Sequence, residues 1–257
     1  MRSTALSHEG KLGKLVRYPL RLVPSTAVVP ILSGQLRGRR WIAGSGIHRC
    51  WLGWYESEKQ LIISRYVQPN TVFYDVGANV GFYSLLASML VGAGKVFSFE
   101  PVPRNLSYLR RHVDLNRASN VDVRALAISD KNAVAKFSVE KTGCMGHLAS
   151  EGEITVPTAT LDSLLRDGSI LPPNYIKMDI EGAEYQALLG ARMCFEQYRP
   201  ILFLATHGKG VHEQCCDLLK SWGYHLTLIG KPDGDFAELL AAPGRECTSG
   251  GPQVRSA

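Results

Sequence analysis

The chain has 257 residues, 45% apolar, 20% charged and 9% aromatic, which excludes a fibrous, collagen-like or disordered protein and allows one sizeable core. Its net charge of +6 is uneven: residues 1–70 hold eleven basic and three acidic side chains, so the rest is slightly acidic. No continuous apolar stretch spans a bilayer, and the fifteen-residue uncharged run Leu22–Leu36 is broken by Pro24 and Pro30. Lys11, Lys14, Arg17 and Arg21 interrupt any secretory hydrophobic segment, and the six cysteines (Cys50, Cys144, Cys194, Cys215, Cys216, Cys247) form no C-x-x-C pair. A reducing, cytoplasmic setting is therefore expected, without a zinc ribbon or a disulfide scaffold.

Residues 1–29 read as a basic arm in which Leu12, Leu15, Val16 and Leu20 alternate with cations until Pro19 breaks the pattern. A solvated arm is the simpler expectation; peripheral contact with an anionic membrane or a lipid-linked substrate is the alternative. Residues 30–70 mix glycines with Trp41, Trp51, Trp54 and Tyr55, the signature of a hairpin cap before a lead-in helix. Core or hairpin packing explains these aromatics, and stacking on sugar rings is the functional alternative. From residue 71 to 242, strand-length apolar runs (71–76, 95–99, 121–128, 174–179, 200–206, 224–229) alternate with helical periods (80–91, 104–116, 182–190, 211–222). That alternation specifies an α/β fold, a mostly parallel twisted sheet with helices on both faces. Residues 133–156 break the rhythm and read as an inserted β-hairpin punctuated by Gly143 and Gly146, while 243–257 form a Gly-, Ser- and Pro-rich tail.

The chemistry is concentrated where the first of these strands turns into a helix, at Asp75-Val76-Gly77-Ala78-Asn79-Val80-Gly81-Phe82. Gly77 and Gly81 suit a backbone that turns sharply beside a ligand. Asn79 replaces the second glycine of a dinucleotide fingerprint, and Asp75 would repel a pyrophosphate, so phosphate chemistry is disfavoured. An anion at this strand end suits a cationic ligand, and S-adenosylmethionine carries both an ammonium and a sulfonium. Glu100, 25 residues after Asp75, ends the next strand and can accept a ribose diol through both oxygens. Asp179, Glu181 and Glu184 follow the strand at 174–179, and His207 follows the strand at 200–206, all at the carboxyl edge where ligands of such sheets bind. Asp179 is expected nearest the transferred methyl. Glu184 has the simpler reading of first-turn charge.

These segments, with Gly53-Trp54-Tyr55-Glu56, Phe99-Glu100-Pro101, Ala127-Ile128-Ser129-Asp130, Thr160-Leu161-Asp162 and Asp179-Ile180-Glu181-Gly182-Ala183-Glu184, resemble the FkbM family of S-adenosylmethionine-dependent methyltransferases over residues 50–210. The resemblance implies a class I Rossmann-like fold and O-methylation of sugars or polyketide-like metabolites. It also implies that Asp75, Gly77, Asn79, Gly81, Phe82, Glu100 and Asp179 hold the cofactor, with Ala127 and Ser129 beside its adenine. Asp179, His207 and Glu181 are the catalytic candidates: Asp179 or His207 removes the acceptor's hydroxyl proton. No metal is expected, since no ligand spacing supports one. Nucleic acid is not expected either, because the basic charge lies outside the catalytic half. A non-catalytic nucleoside-binding module is the rival from another class.

Overall fold

The computed structural model describes residues 22–139, 146–148 and 154–244. The arm through Arg21, Gly143, Cys144, and the tail from residue 245 with Cys247 lie outside the described residues. A short antiparallel pair, β1 (Val28–Pro30) and β2 (Arg40–Ile42), leads into helices α1 (His48–Leu52) and α2 (Ser57–Tyr66). An antiparallel pair and a lead-in helix are present, and α1 is a helix that the hairpin reading did not expect. With five residues, α1 is too short to show a helical period. Nor is the segment a separate cap, because Trp41, at 0% exposure, shares one apolar cluster with Phe73, Leu86 and Val96.

Next in the chain come β3 (Val72–Val76), α3 (Phe82–Val91), β4 (Lys95–Phe99), α4 (Pro103–Leu115) and β5 (Val121–Arg124). Helix α3 buries Phe82 through Ala87 without a gap, since the sheet covers one side and the N-terminal segment the other. His112 of α4 fastens that segment. Its ring stacks on Trp41 at 3.9 Å, Nε2 accepts from the Ile42 N–H at 3.0 Å, and Nδ1 donates to the Val80 carbonyl at 2.7 Å. Burial lowers its pKa from 6.5 to about 4, so the ring is neutral.

The expected 121–128 strand splits. β5 stays in the main sheet, whereas β6 (Ala127–Ile128) joins β7 (Ala133–Val139), β8 (Gly146–Leu148) and β9 (Ile154–Ala159) in a second sheet ordered β6-β9-β7-β8. The remainder runs α5 (Leu161–Arg166), β10 (Tyr175–Met178), α6 (Glu184–Leu189), α7 (Arg192–Tyr198), β11 (Ile201–His207), α8 (Lys209–Ser221), β12 (Tyr224–Asp233) and β13 (Phe236–Pro243). Short helices α5 and α7 and strand β13 are additions to the sequence expectation. β13 is antiparallel and inserted between β12 and β11, a pairing that hydrophobic period does not encode.

The seven strands are ordered β12-β13-β11-β10-β3-β4-β5. The chain thus winds one way from β3 and the other way from β10, and the reversal leaves a crevice at their carboxyl ends. Register sets its floor: Asp75 lies opposite Ser98 on β4 and Lys177 on β10.

Candidate active site

A cavity of about 500 Å³ occupies that crevice. Of the residues expected to bind or react, Gly77, Asn79, Phe82, Glu100, Ala127, Asp179 and Glu181 line it; Asp75, Gly81, Ser129 and His207 do not.

Asp75 corrects the charge argument made from sequence. It is 0% exposed, its Oδ2 accepts from Ser84 Oγ at 2.7 Å, and its Oδ1 lies 3.3 Å from Lys177 Nζ. Its charge is spent inside the sheet, because the parallel register sets a lysine beside it. Lys177 also donates to the Gly77 carbonyl at 2.8 Å, which pins the turn. The glycines serve packing: a Cβ on Gly77 would collide with the Asp179 carbonyl, and one on Gly81 with Leu109 of α4. Asn79 takes the left-handed conformation at φ 49°. Ser129 faces away, its Oγ donating to Asp130 at 3.2 Å and its N–H to Ala159.

Glu100 sits as the sequence proposes, at the end of β4 facing the cavity. The N–H groups of Asn79 and Val102 each donate to one of its oxygens, at 2.8 and 2.9 Å, which fixes the carboxylate in place. Burial raises its pKa to about 7 against these hydrogen bonds. Opposite it, Leu126, Ala127, Ile128 and Phe137 form an apolar wall.

Beyond β10 and β11 the remaining candidates converge. Glu184 is 0% exposed, and its Oε1 accepts from the N–H groups of Ile180 and Gly182 at 3.3 and 3.1 Å and from His207 Nδ1 at 2.9 Å. It therefore shapes the loop and orients the imidazole, which first-turn charge alone does not describe. His207 Nε2 is 3.4 Å from Glu181 Oε2 and 3.7 Å from Asp179 Oδ1. Burial opposes the imidazolium, yet the Glu184 hydrogen bond and the charges of Asp179, Glu184 and Glu181 hold the pKa above the usual 6.5. Burial likewise opposes ionisation of Asp179, but Lys59, Lys177 and His207 bring its pKa below the usual carboxylate range.

Asp179, Glu181 and His207 offer ligand atoms within 4.8 Å of one another, a grouping that the loop after β10 and the end of β11 create and that linear spacing could not reveal. The residues that sequence reasoning missed come mainly from the N-terminal segment. Ile47 and Cys50 line the cavity, and Lys59 of α2 reaches Asp179. Of the aromatics considered for sugar stacking, Trp41 and Trp51 are core residues, Tyr55 faces the cavity and Trp54 is 64% exposed. Lys177 did carry a signal, being a lysine inside an otherwise apolar parallel strand. Among the described residues, no helix is long and apolar enough to cross a membrane.

Comparison with known proteins places the chain among methyltransferases. A family model described as the methyltransferase FkbM domain matches residues 75–226. The hexuronic acid methyltransferase AglP of Haloferax volcanii is 28% identical over 125 residues, 48% of this chain and 51% of AglP. Methyltransferase sdnD of Sordaria araneosa is 24% identical over 194 residues, 62% of this chain and 75% of sdnD. Among solved structures, methyltransferase FkbM of Methylobacillus flagellatus aligns with a TM-score of 0.48 at 23% identity, over 67% of this chain and 43% of that one. This chain thus spans about half the length of AglP.

Proposed function

Because the chain belongs to the FkbM methyltransferase family, we propose that it transfers a methyl group from S-adenosylmethionine to a hydroxyl of a sugar-containing acceptor, with His207 taking the hydroxyl proton. The observation that carries this reading is the open side of His207. Glu184 holds Nδ1 at 2.9 Å, while the carboxylates facing Nε2 stop at 3.4 and 3.7 Å, beyond normal hydrogen-bond length. A base must present one unoccupied nitrogen, and an oriented imidazole does so.

The cavity fits the cofactor in size and in the division of its walls. Glu100 offers two fixed acceptor oxygens for a ribose diol, the Leu126–Phe137 wall offers an adenine-sized apolar surface, and Asp179 offers an ionised carboxylate to a cationic end. When bound, S-adenosylmethionine supplies a methyl group made electrophilic by its sulfonium. Glu184 keeps the imidazole aimed, and Glu181 and Asp179 stabilise the imidazolium that forms when Nε2 gains a proton. Tyr55 and Ile47 close the cavity from the N-terminal side.

The name of AglP, a hexuronic acid methyltransferase, favours a sugar acceptor. An RNA acceptor is disfavoured because Asp179 and Glu181 would meet its phosphates as like charges. The test is incubation with methyl-labelled cofactor and separate panels of uronic-acid glycans, lipid-linked sugars, small hydroxyl metabolites and RNA. Label on a sugar hydroxyl supports the proposal. Label on RNA alone replaces the acceptor class, and cofactor binding with no transfer to any panel makes the protein a non-catalytic binding module.

A further inference from the structure

We propose that Lys59 is a positioning residue of the transfer reaction: its ammonium holds the Asp179 carboxylate off His207 Nε2 and so keeps that nitrogen open to the acceptor. This inference rests on the methyl-transfer reading above, and Lys59 lies outside the residues that the family model matches.

The side chain of Lys59 is 3% exposed, an uncommon fate for a lysine. Its Nζ lies 2.7 Å from Glu56 Oε2, 2.5 Å from Glu238 Oε1 and 3.6 Å from Asp179 Oδ2. These carboxylates come from the residue before α2, from β13 and from the loop after β10. A single partner would satisfy a lysine kept for packing; here three elements converge on one ammonium at the edge of the cavity. Glu56 is itself anchored, accepting from Tyr83 O–H at 2.8 Å and held at a left-handed φ of 44°.

The geometry of Asp179 gives this cluster its consequence. One oxygen faces Lys59 and the other faces His207 Nε2, at 3.6 and 3.7 Å. The nearby cation Lys177 is committed to Asp75 and the Gly77 carbonyl. Without Lys59, the carboxylate is free to rotate onto the Nε2–H of the imidazolium and accept from it, which holds a proton on the atom that must be empty to take the acceptor's. Lys59 thus acts through Asp179 and touches neither substrate nor cofactor.

A double-mutant cycle tests this directly. The pair Lys59→Met with Glu238→Gln removes the ammonium together with one carboxylate it neutralises, so the core gains no net charge. In the Asp179 background kcat falls roughly 10–100-fold, while cofactor affinity by calorimetry stays within about threefold. In the Asp179→Asn background the same pair changes kcat less than about threefold. Lys59→Gln, which keeps a donor but no charge, gives the same pattern, and Lys59→Arg restores most of the turnover. Equal losses in both backgrounds, or no loss in a folded variant, overturn the proposal. If the wild-type enzyme methylates nothing, the transfer reading fails separately. Nitrogen NMR of His207 then decides the positioning claim: Nε2 passes from free to hydrogen-bonded when Lys59 is removed, and an unchanged signal refutes it.

Discussion

Asp75 in β3 and Asp179 just after β10 are both acids at the carboxyl edge of adjacent strands, and each faces a lysine. Asp75 is fully buried, bonded to Ser84 and paired with Lys177 at 3.3 Å, and the cavity does not reach it. Asp179 lines the cavity and shares its two oxygens between Lys59 and His207 at longer range. The histidines divide the same way: His112 has both nitrogens bonded inside the core, whereas His207 has Nδ1 bonded and Nε2 facing Glu181 and Asp179 at 3.4 and 3.7 Å. The first member of each pair is held by close partners inside the core, whereas the second meets its partners at longer range in the cluster beside the cavity.

The largest effect should come from removing the open histidine. His207→Ala is expected to lower turnover about 10²–10⁴-fold with cofactor affinity retained, measured by methyl-transfer rates beside calorimetry; unchanged turnover would erase the contrast between the two histidines. On the closed side, Asp75→Asn strands a buried lysine charge and should cost about 3–5 kcal/mol of folding stability, read from denaturant midpoints, with cofactor contacts untouched in the variant that still folds.

The histidines should also give opposite pH signatures. The pKa of His112 is lowered from 6.5 to about 4, so below pH 6.5 the unfolded chain binds a proton that the native state refuses. Its stabilisation is present above that value and lost as pH falls; acidification from pH 7 to pH 5 should remove about 2 kcal/mol, and His112→Gln should flatten that slope. His207 has a raised pKa, so its contribution is complete below pH 6.5 and is lost as pH rises through its higher native value. Because a histidine base must be neutral, kcat/KM should climb through that same value, and an ascending limb displaced from it would remove His207 from the role. The smallest effect concerns Glu100, whose pKa is pushed up to about 7 by burial. Only its ionised form accepts from a diol at both oxygens, so affinity for the demethylated cofactor should rise up to about tenfold between pH 6 and pH 8, a trend that Glu100→Gln abolishes.

Much of the cavity edge was legible because its signals are local. An apolar strand, a glycine-bearing turn and an acid at the strand's end occupy consecutive positions, so Gly77, Asn79, Glu100, Asp179 and Glu181 could be placed before any fold was known. Roles were harder to read than positions. Gly81 proved to admit Leu109, and Ser129 to turn away, because neighbouring elements decide what a turn residue faces. The cavity wall built by Ile47 and Tyr55 left no trace in spacing, as it depends on where the N-terminal segment docks on α3.

The amino-acid order alone determined the alternating strands and helices, the turn after β3 and the set of acids at one sheet edge, since hydrophobic period and glycine placement act over a few residues. Tertiary structure decided which of those acids keeps a usable charge. Parallel register set Lys177 against Asp75, and the packing of α2 and β13 brought Lys59 to Asp179; such neighbours, far apart in the chain, fix the field that a carboxylate feels.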